Sequence, residues 1–279
     1  MVIKSHAKIN LSLLVKKKLP NGLHDLESLF CKINLFDTIS IKKIKNKKKD
    51  KISFFGPHSK NVINSNNSIN KVLKLLRKKK LIANYYSIKV NKKIPVFAGF
   101  GGGTSNAFAV LKFMTKNKIK KNIFSELAKS VGSDLSLFYY HQGYLKNLKK
   151  IVKLDKVHKL YFLIVYPKII CSTKEIFSKV NKIGKKKIFK INDLKNKRSF
   201  IDFIVNSNND LQSIVEKKHP IIRNLLRDIY NKEGCYLSRL TGSGSGCYGL
   251  FPDQKCSKVA LKVLRKKYPK FWFSIAKTI

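Results

Sequence analysis

The chain has 279 residues, 43% of them hydrophobic, enough to bury one large core or two modest ones. Charge is the outlier, with 60 Lys and Arg against 15 Asp and Glu and a formal net charge of +45. The lysines are scattered along the whole chain, and no zinc-finger, basic-zipper or aromatic RNP-type motif accompanies them, so solvated surface charge is expected and nucleic acid as a primary partner is not.

The five cysteines, Cys31, Cys171, Cys235, Cys247 and Cys256, are odd in number and form no CxxC. Neither a metal site nor a disulfide framework is expected. The start, MVIKSHAKINLSLL, lacks the apolar run of a signal peptide, and the longest apolar stretch, LYFLIVYP from Leu160, is too short to span a bilayer. A soluble, cytoplasmic protein without a membrane partner is expected, acting as a monomer or weak homodimer.

In chain order, KINLSLLV alternates: Ile9, Leu11, Leu13 and Val15 face one way, Lys8, Asn10 and Ser12 the other. This predicts a half-buried strand. Pro20-Asn21-Gly22 signals a turn. LFCKINLFDTISI predicts further strand, and the lysine run from Lys42 an exposed loop or hairpin tip. Ile69, Val72, Leu73 and Leu76 have helical spacing. YYSIKVNKKIPV predicts a strand ended by Pro95. Ala107, Val110, Leu111 and Met114 predict an amphipathic helix capped by Thr104 or Ser105, and Phe124, Leu127, Ala128 and Val131 a second one stopped by Gly132. LYFLIVYP predicts a buried strand, and CSTKEIFSKV a helix start capped at Ser172 or Thr173. The Lys/Asn-rich stretch between Lys182 and Lys197 predicts a surface connection. A helical region follows over residues 203–230, then a helix near Val259 to Lys267 and a closing strand, FWFSIAKTI. Groups of strands with helices between them predict an α+β fold. A join near residue 150 divides it into domains 1–150 and 151–279.

Four of fourteen glycines fall between Gly99 and Gly103, immediately before a predicted helix. Glycine lets successive backbone N–H groups aim at one point, and a helix start adds unpaired N–H groups and the positive end of its dipole. That is a recipe for holding phosphate. It is not a P-loop, because no Gly-Lys-Ser/Thr follows, and GxGxxG fails in register because Thr104 occupies the last glycine position.

The pattern P-x-x-x-G-x-G-G-G-T-S-N-A, Pro95 to Ala107, resembles the ATP loop of the GHMP kinase superfamily of small-molecule kinases. Other segments narrow the resemblance to the branch acting on a cytidylylated methylerythritol. These are AKINLSLLVKKKLPNGLHDLESLF, VGSDLSLF, CSTKEIF, NNDLQ with HPII, and SRLTGSGSGCYGLF, in the right order along essentially the whole chain. The resemblance implies a two-domain GHMP kinase fold with the active site in the cleft between domains. It implies transfer of the γ-phosphate of ATP, as co-substrate with Mg²⁺, to the 2-hydroxyl of 4-diphosphocytidyl-2-C-methyl-D-erythritol, in the non-mevalonate route to isoprenoids. It makes Asp134 and Lys8 catalytic. It gives ATP the loop Pro95, Val96, Phe97, Ala98, Gly99, Phe100, Gly101, Gly102, Gly103, Thr104 and Ser105, with Asn67 and Lys93 beside it. It gives the acceptor substrate Asn10, His24, Phe177, Gly242, Ser243 and Gly244.

For each residue an ordinary reading stands beside this one: a helix cap for Asp134, a solvated charge for Lys8, helix packing for Phe177, a tight turn for Gly242–Gly244. The chain also departs from the family pattern. Leu23 stands where the family has Tyr before the histidine, Phe100 replaces a Leu, Ala98 a frequent Gly, and YLKNLKKIV follows Gly143 in place of a G-x-G-E element. A different GHMP kinase, acting on homoserine, mevalonate or a sugar, is the nearest alternative. An inactive, basic, nucleic-acid-binding relative is the other.

Overall fold

The computed structural model describes residues 1–20, 22–45, 49–62, 67–148, 150–154, 156–180, 194 and 196–279. Asn21 of the expected turn and most of the expected surface connection between Lys182 and Lys197 lie outside the described residues.

The chain opens with β1 (Val2–Asn10) and β2 (Leu14–Lys18). The strand expected at KINLSLLV thus begins earlier and is interrupted around Ser12. It also lacks a wet face: Lys8, Asn10 and Ser12 are as buried as Ile9 and Leu11. Partners make that burial tolerable. Asn10 Nδ2 donates to Ser28 Oγ at 2.8 Å, Ser28 Oγ donates to the Ser12 carbonyl at 2.6 Å, and Ser12 Oγ accepts from the Leu29 N–H at 3.0 Å.

β3 (His24–Ile44) is a single strand of 21 residues. β4 (Lys51–Phe55), α1 (Ser68–Lys78) and β5 (Tyr85–Asn91) follow. β5 pairs antiparallel with the second half of β3 and parallel with β4. The lysine run from Lys42 is therefore no hairpin tip: Lys42–Ile44 completes β3, and β4 takes β5 as its partner; residues 46–48 lie outside the described residues. β5 ends at Asn91, four residues before Pro95. Next come α2 (Gly102–Met114), α3 (Lys121–Val131, ended at Gly132) and a 3₁₀ segment at Ser133–Tyr139. α2 begins on the glycines themselves, with Gly101 as its cap, so Thr104 and Ser105 sit inside the first turn and do not cap it.

The remaining elements are β6 (Gln142–Asn147), β7 (Lys150–Lys153), β8 (Tyr161–Tyr166), α4 (Thr173–Ser178), α5 (Lys197–Val205), α6 (Gln212–Lys218), α7 (Pro220–Tyr230), β9 (Leu237–Leu240), β10 (Cys247–Phe251), α8 (Gln254–Lys267) and β11 (Trp272–Lys277). Ser172 caps α4, its Oγ accepting from the Glu175 N–H at 3.4 Å. The helical region expected over residues 203–230 is three helices, separated by residues 206–211 and by Pro220 at the start of α7. α8 starts before the expected Val259, because Asp253 Oδ1 accepts from the Cys256 N–H at 2.8 Å and nucleates it there.

Packing groups the chain into two compact units. The first comprises Met1–Lys8, Leu35–Val96 and Gly101–Tyr139. Its core joins Ile39, Ile88 and Val90 of the sheet to Val72 and Leu76 of α1, Val110 and Leu111 of α2, and Leu127 of α3. The second comprises Ile9–Asn34, Phe97–Phe100 and Tyr140–Ile279. It contains a four-stranded antiparallel sheet, ordered β11-β8-β10-β9, on which Leu225 and Ile229 of α7 and Ala260 and Leu264 of α8 pack. This division differs from a single join near residue 150, because β1, β3 and the glycine loop each contribute residues to both units. No described helix is long and apolar enough to cross a membrane.

Candidate active site

In the first unit, the last residue of its β1 portion is Lys8. Its Nζ lies 3.2 Å from Asp134 Oδ2, with the lysine side chain 4% and the aspartate side chain 38% exposed. Asp134 is the second residue of the 3₁₀ segment, and Gly132 ahead of it, at φ +142, ends α3. Gly101 makes room for the lysine. It has φ +69, and a Cβ there would stand 3.2 Å from Lys8 Cε and 3.0 Å from the Phe138 ring.

The start of α2 leaves the N–H groups of Gly102, Gly103 and Thr104 without intrahelical acceptors, while the Ser105 N–H reaches the Gly101 carbonyl at 2.8 Å. Gly103 is exposed, and its nearest neighbour in the direction of a side chain is Ser68 Oγ, at 3.7 Å from a would-be Cβ. Ser68 opens α1, whose cap is Asn67: its Oδ1 accepts from the Asn70 N–H at 3.0 Å. Pro95 is buried, and the exposed Lys93 holds its Nζ 5.9 Å from the Phe36 ring centroid. Ser105 is committed inward, its hydroxyl donating to the His6 carbonyl at 2.6 Å and accepting from Ser5 at 2.7 Å. Thr104 is partly exposed.

Sequence reasoning missed a buried polar group behind this loop. Asp37 and Lys92 form an ion pair that is almost fully buried. Asp37 Oδ1 accepts from the N–H groups of Lys93 and Ile94, at 2.7 and 2.9 Å. Lys92 Nζ donates to Asn106 Oδ1 at 3.0 Å, and Asn106 Nδ2 donates to Asp37 Oδ2 at 2.9 Å and to Ser5 Oγ at 3.0 Å. Burial pulls the Lys92 ammonium below the ordinary lysine value, against the opposing pull of Asp37. The available signal was Asp37 itself, an acid in the middle of an apolar strand.

In the second unit, Phe97–Phe100 lies against the turn from Thr241 to Gly246. A Cβ on Gly99, at φ +77, would meet the Thr241 carbonyl oxygen at 2.1 Å. The Gly246 N–H donates to the Ala98 carbonyl at 3.1 Å. Ala98 and Phe100 turn their side chains inward, and Phe97, at φ +56, is half exposed. The departure to Phe100 has a visible counterpart: a Cβ on Gly246 would stand 2.5 Å from its ring. The Asn10 N–H donates to Thr241 Oγ1 at 3.0 Å, and a Cβ on Gly242 would stand 3.4 Å from Asn10 Oδ1. Ser243 Oγ shares a 2.9 Å hydrogen bond with Thr173 Oγ1 of α4, and Asn209 Nδ2 holds the Gly242 carbonyl at 2.8 Å. Gly244 has φ +80 and packs on Leu240.

His24 and Phe177 come together with ring centroids 5.3 Å apart and planes tilted by 31°. A base sandwiched between two rings needs about 7 Å between them, so these rings pack on each other and leave only their outer faces for a third. Burial, then Lys18, holds His24 below the ordinary histidine value. Leu23, in the family's Tyr position, is 52% exposed.

Comparison with known proteins gives the family and the fold. Residues 67–142 match the GHMP kinases N terminal domain, and residues 192–270 match GHMP kinases C terminal. A 4-diphosphocytidyl-2-C-methyl-D-erythritol kinase from Pelagibacter ubique (strain HTCC1062) is 36% identical over 288 residues, covering 99% of this chain and 98% of its own. The protein of the same name from Wolbachia pipientis wMel is 32% identical, covering 97% and 96%. Among solved structures, a 4-(cytidine 5'-diphospho)-2C-methyl-D-erythritol kinase superposes with a TM-score of 0.75 at 19% identity over 99% of both chains. Homoserine kinase from Cytophaga hutchinsonii ATCC 33406 superposes at 0.69 and 15% identity, over 100% of this chain and 94% of its own. At such identities the two structures speak for the fold.

Proposed function

The chain belongs to the family of 4-diphosphocytidyl-2-C-methyl-D-erythritol kinases, within the GHMP kinases, and from that membership we propose that it transfers the γ-phosphate of ATP to the 2-hydroxyl of 4-diphosphocytidyl-2-C-methyl-D-erythritol, in the non-mevalonate route to isoprenoids. The observation that carries this reading is identity above 30% with proteins of that name over almost the whole of both chains.

The assignment of roles is supported by the geometry of each unit. Phosphoryl transfer needs positioning and charge stabilisation more than covalent chemistry. Asp134, partly exposed and ion-paired, is suited to orient the acceptor hydroxyl and take its proton. Lys8, fixed beside Gly101, is suited to stabilise the phosphoryl group as charge builds on its oxygens. The free N–H groups of Gly102, Gly103 and Thr104 are suited to the triphosphate. Asn67 and Lys93 flank that loop and are assigned to the nucleotide. Asn10, His24, Phe177 and Gly242–Gly244 are assigned to the acceptor, with cytosine stacking on an outer face of the His24–Phe177 pair.

Mg²⁺ fits as an ion that arrives with ATP. Near the loop the chain offers the Asp134 carboxylate and the Thr104 hydroxyl, and among the described residues no three His, Cys, Asp or Glu side chains cluster to cage a metal. Such a sparse oxygen set suits an ion that keeps its phosphate and water ligands, and when bound it neutralises charge on the phosphate oxygens. The lysine surplus is assigned to steering anionic nucleotides and not to nucleic-acid binding.

The test is product identity. Purified protein with ATP, Mg²⁺ and the cytidylylated methylerythritol should give a product heavier by one phosphoryl group, with phosphorus NMR placing it on the 2-hydroxyl. A folded protein that leaves this substrate unmodified would overturn the proposal.

A further inference from the structure

We infer that Asp37, Lys92 and Asn106 are positioning residues for the nucleotide loop, acting as one buried clamp that fixes the loop's approach to α2. The inference rests on the kinase reading above and adds a second layer to it.

The three side chains come from three places. Asp37 is in β3, Lys92 follows β5 by one residue, and Asn106 lies in the second turn of α2. Between them they hold both ends of the segment that enters the glycine loop. Asp37 Oδ1 grips the N–H groups of Lys93 and Ile94, the residues directly before Pro95. Lys92 Nζ and Asp37 Oδ2 both bind the Asn106 side chain, so the start of α2 is tied to the same carboxylate. Asn106 Nδ2 passes the tie to Ser5, whose hydroxyl donates to Ser105 in the first turn of α2. The fit is close: a Cβ on Gly102 would stand 3.3 Å from Lys92 Nζ and 3.0 Å from Ile94 Cγ2. Lys92 and Asp37 are at most 2% exposed.

A buried ion pair is a poor device for stability, since desolvation consumes most of what the attraction returns. Its value here is directional. The carboxylate's acceptor sites are filled by two backbone N–H groups, an ammonium and an amide, so rotation of any partner leaves a buried polar group unpaired. That sets where the N–H groups of Gly102, Gly103 and Thr104 point, and a phosphate held by backbone N–H groups is sensitive to shifts of about 1 Å.

The test uses Lys92→Met, which removes the ammonium's ties to Asp37 and to Asn106 Oδ1 of α2 but leaves Asp37 three donors, Asn106 Nδ2 among them, and Asp37→Asn as an independent perturbation of the remaining tie. In each full-length variant that is folded at the assay temperature, two quantities are read: hydrogen exchange of residues 93–105 without nucleotide, and the Kd of a non-hydrolysable ATP analogue by calorimetry. The clamp predicts faster exchange across that segment, with β8 unchanged, and a Kd raised by about tenfold or more. KM for the acceptor should move much less than KM for ATP. A folded variant that keeps its analogue Kd within about twofold of wild type would overturn the inference, as would unchanged exchange at residues 93–105. A wild-type chain that binds the analogue but phosphorylates no acceptor would overturn the function and leave the clamp standing.

Discussion

Lys8 Nζ lies 3.2 Å from Asp134 Oδ2, a buried lysine against a partly exposed aspartate. In a chain with 60 basic residues, this lysine shares with Lys92 the combination of burial and an aspartate partner, but its aspartate is partly exposed where that of Lys92 is buried. The Asp134 side chain, 38% exposed, keeps its carboxylate accessible beside that ammonium. On the role proposed for Asp134, Asp134→Asn keeps the shape and removes the proton acceptor, so kcat should fall by about 10²–10⁴ while nucleotide affinity changes little. Steady-state turnover beside calorimetric binding of an ATP analogue checks both halves.

Gly99 and Gly246 have no room for a methyl group: it would meet the Thr241 carbonyl oxygen at 2.1 Å in one case and the Ala98 carbonyl oxygen at 2.3 Å in the other. Gly99→Ala and Gly246→Ala should each destabilise the protein by about 1–3 kcal/mol, from overpacking and, at Gly99, from the positive φ as well. Gly103→Ala, where nothing approaches closer than 3.7 Å, should cost much less stability. Chemical denaturation of the three variants separates these cases.

Three histidines, His24, His158 and His219, are each held below the ordinary histidine value, chiefly by burial. Between about 6.5 and those lowered values the unfolded chain binds more protons than the folded one, so stability should fall as pH drops through that window and level off beneath it. His158 has its ring stacked on Phe200 at 4.3 Å and its Nε2 2.6 Å from the Leu194 carbonyl oxygen. Urea midpoints at about pH 7.5 and about pH 5.5 should differ, and His158→Gln should shrink the difference.

Leu23 is half exposed next to His24, whose other neighbour is the ring of Phe177. His24 and Phe177 already pack together, so on the acceptor role proposed for them a cytosine would stack on an outer face, and an aromatic residue at 23 would supply a further one. Leu23→Tyr should lower KM for the cytidylylated substrate, with a ceiling of roughly 1–3 kcal/mol, and leave KM for ATP unchanged. An equal change in both constants would place residue 23 outside the acceptor site.

Much of the fold was legible because its signals are local. The helical spacing of Ile69, Val72, Leu73 and Leu76 yields α1, and that of Ala107, Val110, Leu111 and Met114 yields α2, although α2 starts at Gly102 and is not capped by Thr104 or Ser105. Failures occurred where long-range packing overrides a local pattern. Alternation in KINLSLLV suggested one wet face, yet Asn10 and Ser12 are buried because Ser28 and Leu29 supply their hydrogen bonds from 18 and 17 residues away. The lysine run suggested an exposed loop or hairpin tip, but Lys42–Ile44 continues β3 and β4 pairs with β5. Of the candidate site, Lys8 with Asp134 and His24 with Phe177 do meet. Of the Asp37–Lys92 pair only Asp37 carried a signal, because one lysine among so many carries no mark of burial until the carboxylate 55 residues away is seen to bind it.

What distinguishes this chain's activity from that of other GHMP kinases is the acceptor. The most direct measurement is kcat/KM by ADP release, with ATP and Mg²⁺, on 4-diphosphocytidyl-2-C-methyl-D-erythritol, homoserine, mevalonate and galactose in parallel. Turnover is expected on the first and background on the other three. Turnover on one of the others, with the first at background, would keep the fold and contradict the function.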